Sequence, residues 1–502
     1  MSYSLLTEPW IPVRQGSKFQ SLGLLQLFQS WDSISDVCAA NPPRQIALYR
    51  FLIAIVHSAI RGPATPADYK ALWKNQQLTD QVCEYLNRWE DRFDLLHPEY
   101  PFLQDAKIPK KIKQTPIGKA VYQDANTPII WFKPNETPWL ALPDATQELL
   151  RMQSLELGGK KGDSVTAGPG RWTQGRHVFP ISSTLQETCL LNLIGYEATD
   201  IDRPVWEQSS PYGTGERHPA GYLDWLTYCE RRILLKVEGD KATHLRLASG
   251  WKPPKECGFT HDQHQAFRIS KDKTWNPLPF NPNLIDPKNP RMNPQKQLWD
   301  DSEAILHTIE NSNQRPRIFD WLDNTRKLKN PQIVRVLGFA HAGGTQSAKA
   351  VHWADDFLSV PETILEDPDA WVWVKDAIII ARLFGKIFAG KVFQYAPKPS
   401  GSKEAFSRGE QDTIKAQLPS LQAALYSYIG QQFPKLILDL ADVEQAEARL
   451  QEWQFQLKNY SRELVSLLIT ALPDYRSKAI AESMFNIAIH KIISEKARED
   501  VA

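Results

Sequence analysis

Two regimes of hydrophobic patterning divide this 502-residue chain. From Trp371 onward, apolar residues recur at three- and four-residue spacing over long stretches. In the last of these, Ile480, Met484, Ile487, Ala488 and Ile492 fall on one stripe of a 3.6-residue helix, which predicts a single buried face. The same spacing predicts helices over residues 371–393, 411–433, 443–472 and 475–499, the second interrupted near Pro419, with residues 397–402 and Pro434 in the loops between them. Four antiparallel helices with short connections pack most economically as a bundle. Upstream the pattern is irregular and rich in proline. Helical period holds over residues 45–60 and 67–93, residues 232–238 and 244–247 read as strands, and the proline- and asparagine-rich stretch 274–294 reads as loop. The expected fold class is α+β. A large irregular α/β N-terminal domain (1–366) precedes a C-terminal four-helix bundle (367–502), and the change in character near residues 361–369 marks the boundary.

Composition narrows the class. With 42% hydrophobic residues, 17 Trp, 20 Phe and 15 Tyr, the chain can fill large cores, so it reads as globular and not disordered. The five cysteines (Cys38, Cys83, Cys189, Cys229, Cys257) are scattered, odd in number and without a C-x-x-C, which predicts free thiols in a reducing cytoplasm. No basic-then-apolar leader opens the chain, and its apolar runs are far shorter than the roughly 20 residues that span a bilayer, so no membrane partner is expected. The net charge of +1 argues against a nonspecific coat for nucleic acid, yet charge is uneven. Residues 101–180 hold eleven Lys and Arg against seven Asp and Glu, whereas residues 367–502 hold 17 of each. A local excess of four positive charges suits a nucleic-acid path, and equally a solvated lysine-rich loop.

Several constellations bear chemistry. Gly343, Gly344, Thr345 and Gln346 form a glycine-hinged turn that lets backbone approach a partner and presents an amide at its tip. Gly158, Gly159, Lys160, Lys161 and Gly162 form a loop that offers backbone N–H groups and cationic heads to phosphates. Trp131 and Phe132 beside Lys133 pair stacking surfaces with a cation, as single-stranded RNA recognition requires, although an aromatic core anchor fits the same residues. Cys257, His261 and His264, with His244, have spacing that suits zinc, but a polar loop without metal is the preferred reading. Asp355 and Asp356 mimic a metal pair without a neighbouring histidine. A P-loop, a nucleophile elbow and H-E-x-x-H are all missing from the sequence, so no cofactor and no catalysis are expected.

Four stretches carry a family resemblance. They are residues 5–13 (Leu-Leu-Thr-Glu-Pro-Trp-Ile-Pro-Val), 88–104 (Arg-Trp-Glu-Asp-Arg-Phe-Asp-Leu-Leu-His-Pro-Glu-Tyr-Pro-Phe-Leu-Gln), 184–192 (Thr-Leu-Gln-Glu-Thr-Cys-Leu-Leu-Asn) and 226–235 (Leu-Thr-Tyr-Cys-Glu-Arg-Arg-Ile-Leu-Leu). In order, spacing and total length the chain resembles the CasA (Cse1/Cas8e) family, the large subunit of the type I-E CRISPR surveillance complex Cascade. The resemblance implies a non-enzymatic subunit that recognises the protospacer-adjacent motif (PAM) in double-stranded target DNA. It also implies initiation of R-loop formation, association with the CRISPR guide RNA and other Cascade subunits, and recruitment of a helicase-nuclease. It makes Gln346, with Thr345, the wedge beneath the motif. It sets the 158–162 loop against the minor groove, where Lys160 and Lys161 replace part of the family's glycine run and shift the expectation towards phosphate contact. It puts Lys271 or Lys273 in the same groove and Trp131–Lys133 against the 5′ handle of the guide RNA. The rival readings are an effector with its own hydrolase activity and a structural guide-RNA scaffold without motif readout.

Overall fold

The computed structural model describes residues 2–120, 138–160, 162–163, 165–170, 172–173, 175–253, 282–283, 298–306, 316–325, 332–341, 350–398, 400 and 404–499. The chain forms two compact units, Met1–Met292 with Asn313–Phe357, and Asn293–Ser312 with Leu358–Ala502. A single cut at 366 therefore differs from the division by compactness, which falls at 357/358 and assigns an upstream segment to the C-terminal unit.

The first unit is built around the helix Pro42–Ile60. Asn41 caps it by accepting the Arg44 N–H at 3.0 Å, and Pro42 fits the first turn, where no N–H partner is needed. Residues 43–58 are all buried, so this helix is covered on every side. One flank packs on the helix Leu142–Leu155, where Arg44 binds Glu148 at 2.7 Å and Asp144 at 2.8 Å. Glu148 also pairs with the fully buried Arg151, which reaches Glu156 at 2.9 Å, so Arg44, Glu148 and Arg151 each have an oppositely charged partner. The other side meets an aromatic cluster in which Phe51, Phe93, Phe102 and Trp206 have centroids 5.5–6.4 Å apart. The N-terminal hairpin Ile11–Gln15/Lys18–Leu22 adds the strand Asp36–Val37. The predicted strands extend to Arg231–Glu238 and Lys241–Ser249, an antiparallel pair joined by Gln114–Pro116 and Leu140–Ala141. The predicted helix over 67–93 divides into Pro66–Leu72, Leu78–Arg88 and a 3₁₀ turn Glu90–Arg92.

Near the end of the central helix, His57 is fully buried. Its Nδ1 lies 2.7 Å from the Gly62 carbonyl, and its Nε2 accepts the Ile194 N–H at 3.4 Å, which fixes the Nδ1–H tautomer. Burial pushes its pKa down from 6.5 to about 4, against the pull of the Gly62 bond. Because the folded value lies below the unfolded one, the stability that the neutral His57 ring contributes is present above pH 6.5 and is lost as pH falls from 6.5 to 4. Asp202 works in the opposite sense. Burial pushes it up to about 6, so it favours the folded state as pH falls from 6 towards 3.8. Removing His57 alone exposes the Asp202 contribution. His57→Gln is expected to reduce the loss of unfolding free energy between pH 7 and pH 4.5 by about 2–3 kcal/mol relative to the wild type, read from urea midpoints. Superimposable pH profiles would mean that His57 is not held neutral.

In the second unit the predicted helices appear as Pro368–Ile387, Arg408–Leu440, Ala446–Thr470 and Tyr475–Glu499. The first ends short of 393, in a 3₁₀ turn Gly390–Tyr395. A capping box of Ser407 and Glu410 starts the second. That helix runs unbroken through Pro419 and Pro434, so Pro434 lies inside a helix and not in a loop. Each interior proline costs roughly 3 kcal/mol. Leu418 and Leu421 flank one, and Phe433, Leu436 and Ile437 flank the other; at about 1.5–3 kcal/mol per buried side chain they outweigh it. Trp453 donates across to the Ala377 carbonyl at 3.2 Å, and Gln422 to that of Gly385 at 2.9 Å. The stripe of the last helix is wider than predicted: Ala481, Phe485 and Ile489 join Ile480, Met484 and Ala488, while Ile487 lies at its rim, 37% exposed. A further helix, Leu298–Leu306, packs on Pro368–Ile387 and Arg408–Leu440. No described helix is long and apolar enough to cross a membrane.

Candidate nucleic-acid interface

The glycine loop emerges from the C-terminal end of the helix Leu142–Leu155 and folds back as a minimal hairpin. Gly159 pairs with Ala167 and Lys160 with Thr166. Gly159 has φ +118°, a conformation that side chains with a Cβ rarely adopt. Gly162 donates to the Leu247 carbonyl at 2.9 Å, and a Cβ on it would lie 2.8 Å from that oxygen, so only glycine lets the loop lie this close to the sheet. Asp163 accepts the Ser249 N–H at 2.9 Å and the Val165 N–H at 3.1 Å, which holds the loop on the same strand. Gly158 is buried and Lys160 is exposed, so this fixed hairpin presents a cation to solvent.

The strands on either side of residues 342–349 are described. The strand Gln332–His341 pairs antiparallel with Gly175–Ile181, from Ile333 opposite Ile181 to Phe339 opposite Gly175, and Ala350–Val360 lies on its other side. Arg335 anchors the stem. It forks onto Asp355 at 2.7 and 2.8 Å, reaches Asp36 at 2.9 Å, and donates to the Tyr49 hydroxyl at 3.1 Å. Burial opposes the Arg335 charge, but Asp355, Tyr49 and Asp36 hold it protonated. Burial likewise raises the Asp36 carboxyl, against Arg335 and the 2.7 Å bond from Tyr49. Asp355, whose sequence position mimics a metal ligand, is thus the partner of an arginine. Among the described residues no group of three or more His, Cys, Asp or Glu could hold a metal ion.

The two elements meet. Leu157, just before the glycine loop, is 5% exposed and packs with the fully buried Phe339 and with Trp353. Phe339 lies two residues before the end of one stem strand and Trp353 three residues after the start of the other. Residues far apart in sequence therefore converge at the end of the stem from which residues 342–349 depart. The sequence profile described as CRISPR-associated protein Cse1 matches residues 4–464. The chain belongs to the Cse1 family. It is 30% identical over 325 residues to a CRISPR-associated protein CasA/Cse1 of Thermus thermophilus, an alignment that covers 61% of this chain and 60% of that relative. Its fold is that of solved Cse1 structures. Cse1 from Acidimicrobium ferrooxidans superposes with a TM-score of 0.78 at 22% identity over 99% of both chains. CasA from T. thermophilus gives 0.76 at 21% identity over 99% of this chain and 100% of that one. A chain of a CRISPR RNA-guided surveillance complex in a pre-nicking state gives 0.62 at 18% identity, over 97% of this chain and 98% of that one.

Within this Cse1-family fold, the structure describes Gly158, Gly159, Lys160 and Gly162 of the predicted interface. Lys161, Lys271, Lys273, Gly343, Gly344, Thr345 and Gln346 lie outside the described residues, as do Trp131, Phe132 and Lys133 and the cluster of Cys257, His261 and His264. His244 is described, on a strand, with its Nδ1 3.2 Å from the Thr243 hydroxyl. Among the described residues Cys38, Cys83, Cys189 and Cys229 form no disulfide with one another. Sequence reasoning missed the anchor Arg335–Asp36–Tyr49, because nothing local ties residue 335 to residues 36 and 49. An arginine on an apolar strand was its one available signal.

Proposed function

We propose that this chain is the large subunit of a type I-E CRISPR surveillance complex, and that it recognises the motif flanking a target in double-stranded DNA. What carries the reading is the packing of Leu157 on Phe339 and Trp353, which joins the base of the glycine loop to the stem of the 343–346 turn. A loop that lays backbone N–H groups and Lys160 against one groove, beside a turn that intrudes below the motif, couples recognition to strand separation. Gln346 with Thr345 is the wedge that starts the R-loop. Lys160, Lys161 and one of Lys271 and Lys273 hold the minor-groove side. Trp131–Lys133 meets the guide-RNA handle, and the C-terminal helices help position the helicase-nuclease, which supplies the cleavage. Membership of the Cse1 family and the fold shared with a chain of an RNA-guided surveillance complex support this reading. The minor groove offers a degenerate pattern, so the preference is expected to be promiscuous. The test is binding of the reconstituted complex to a duplex library randomised next to the target. Enrichment of a small set of flanking sequences is the expected result. Guide-RNA retention with no enrichment would favour a scaffold without readout, and metal-dependent nicking by the chain alone would favour an effector with its own activity.

A further inference from the structure

The stretch from residue 106 to 123 contains no Asp or Glu and five lysines. Its described part is a ridge and not a tail. Ile108 and Ile112 are buried with Ala248, and Leu234 packs against them, which turns Lys107, Lys110, Lys111 and Lys113 outward to solvent. The backbone is held: Ile112 N–H donates to Pro109 at 2.9 Å, Arg246 donates to the Ile112 carbonyl at 3.2 Å, and Gln114 pairs with Arg246 in the sheet. The ridge adjoins the glycine loop, because the Lys113 carbonyl lies 3.5 Å from where a Cβ on Gly162 would stand. The carboxylates nearby face inward. Asp105 is 5% exposed and pairs with Arg232 at 2.6 Å, and Asp163 accepts two backbone N–H groups. Among the described residues none of Lys107, Lys110, Lys111, Lys113 and Lys160 is in an ion pair, whereas Lys236 on the same sheet pairs with Glu238 at 2.6 Å.

Exposed lysines are ordinarily solvated and bind nothing in particular. Here they stand on a braced ridge next to a glycine loop, in no ion pair among the described residues, and such an arrangement concentrates positive potential where a phosphate backbone would run. We propose that Lys110, Lys111 and Lys113, continuous with Lys160, form a track for the phosphate backbone of the double-stranded DNA that flanks the recognised motif. The proposal rests on the motif-recognition reading for its ligand. Duplex DNA is favoured over guide RNA because the ridge's fixed contacts lead to the glycine loop. Lysine heads on phosphates carry no base information, so the track adds affinity for every duplex equally.

The test uses the complete complex reconstituted with Lys110→Ala, Lys111→Ala and Lys113→Ala together. Affinity is measured over a salt series for a duplex with the preferred motif and for one without it, alongside guide-RNA retention. Affinity for both duplexes is expected to fall about tenfold or more, and the plot of log affinity against log salt to flatten by about 2–3. The ratio between the two duplexes and the retained guide RNA should not change. The triple arginine variant should keep both the affinity and the slope, which separates lost charge from damaged folding. An unchanged salt slope in the alanine variant overturns the track, and so does loss of guide RNA with an unchanged DNA slope. If the wild-type complex shows no motif preference, the functional reading fails by itself, while the slope difference still reports on the ridge.

Discussion

Thr345→Ala combined with Gln346→Ala is expected to slow R-loop formation by the assembled complex roughly 10- to 100-fold while leaving assembly and guide-RNA retention intact. Unstacking a base step costs a few kcal/mol, and a wedge that loses about 2 kcal/mol of compensating contacts loses about that factor in rate. The expectation depends on a rigid base for the turn. Arg335 supplies one, because its fork onto Asp355 joins the two stem strands and its contacts with Asp36 and Tyr49 fasten them to the centre of the first unit. The stem strands keep their own pairing in the double variant, so the defect should lie in opening the duplex and not in folding. R-loop kinetics on a supercoiled target, followed with a probe for unpaired bases, give the reading. Wild-type rates in the double variant would remove the wedge assignment, and slowed initial binding with normal opening would turn these residues into groove readers.

The stretches that identify the family in the sequence are parts of the core. Trp10 in the first stretch is fully buried and donates to the Leu5 carbonyl at 2.9 Å. Phe93 and Phe102 of the second stack with centroids 5.7 Å apart. Thr184 of the third caps the helix Leu185–Leu191, and Asn192 at its end donates to the carbonyls of Pro180 and Thr188 at 2.8 Å. Packing and buried hydrogen bonds restrict such positions to few residue types, which is why they are recognisable. The proposed interface consists of residues whose types would answer to a partner and not to the core. Their sequences name a chemistry, glycine with lysine or glycine with an amide, but not a site. Leu157 shows what was missing: it reads as one more apolar residue before a glycine run, and only its contacts with Phe339 and Trp353 tie the glycine loop to the strands that flank residues 342–349. Asp355 shows the converse, since adjacent carboxylates suggest metal until Arg335, twenty residues upstream, is found across the hairpin.

Helical period in the last third of the chain was legible because each stripe repeats over many turns. The short helix Leu298–Leu306 was not, since nine residues next to a proline-rich tract give too few repeats to stand out. Yet it belongs to the C-terminal unit. Trp299 is 3% exposed, with its ring centroid 5.5 Å from Tyr426 and 6.4 Å from Phe433, and Ile305 of the same helix is 1% exposed. Arg382 holds the same helix from the first long helix, through Asp300 at 2.5 Å and Glu303 at 2.6 Å. Trp299→Ala is therefore expected to lower the stability of the C-terminal unit by about 3–5 kcal/mol. The loss should appear as faster amide exchange in Pro368–Ile387 and Arg408–Leu440, with exchange in Pro42–Ile60 unchanged, because the ring partners of the mutated side chain, Tyr426 and Phe433, belong to the C-terminal unit. The same contacts bear on a fragment of residues 1–366. Its first unit keeps its own core, but Trp299 and Ile305 lose their cover, so the fragment should fold with an apolar helix open to solvent and self-associate. Adding residues 367–502 as a separate chain should restore a monodisperse species. If Trp299→Ala left exchange in both long helices at wild-type rates, the helix Leu298–Leu306 would be a passenger on the C-terminal unit, and the boundary near 366 would stand as a clean cut.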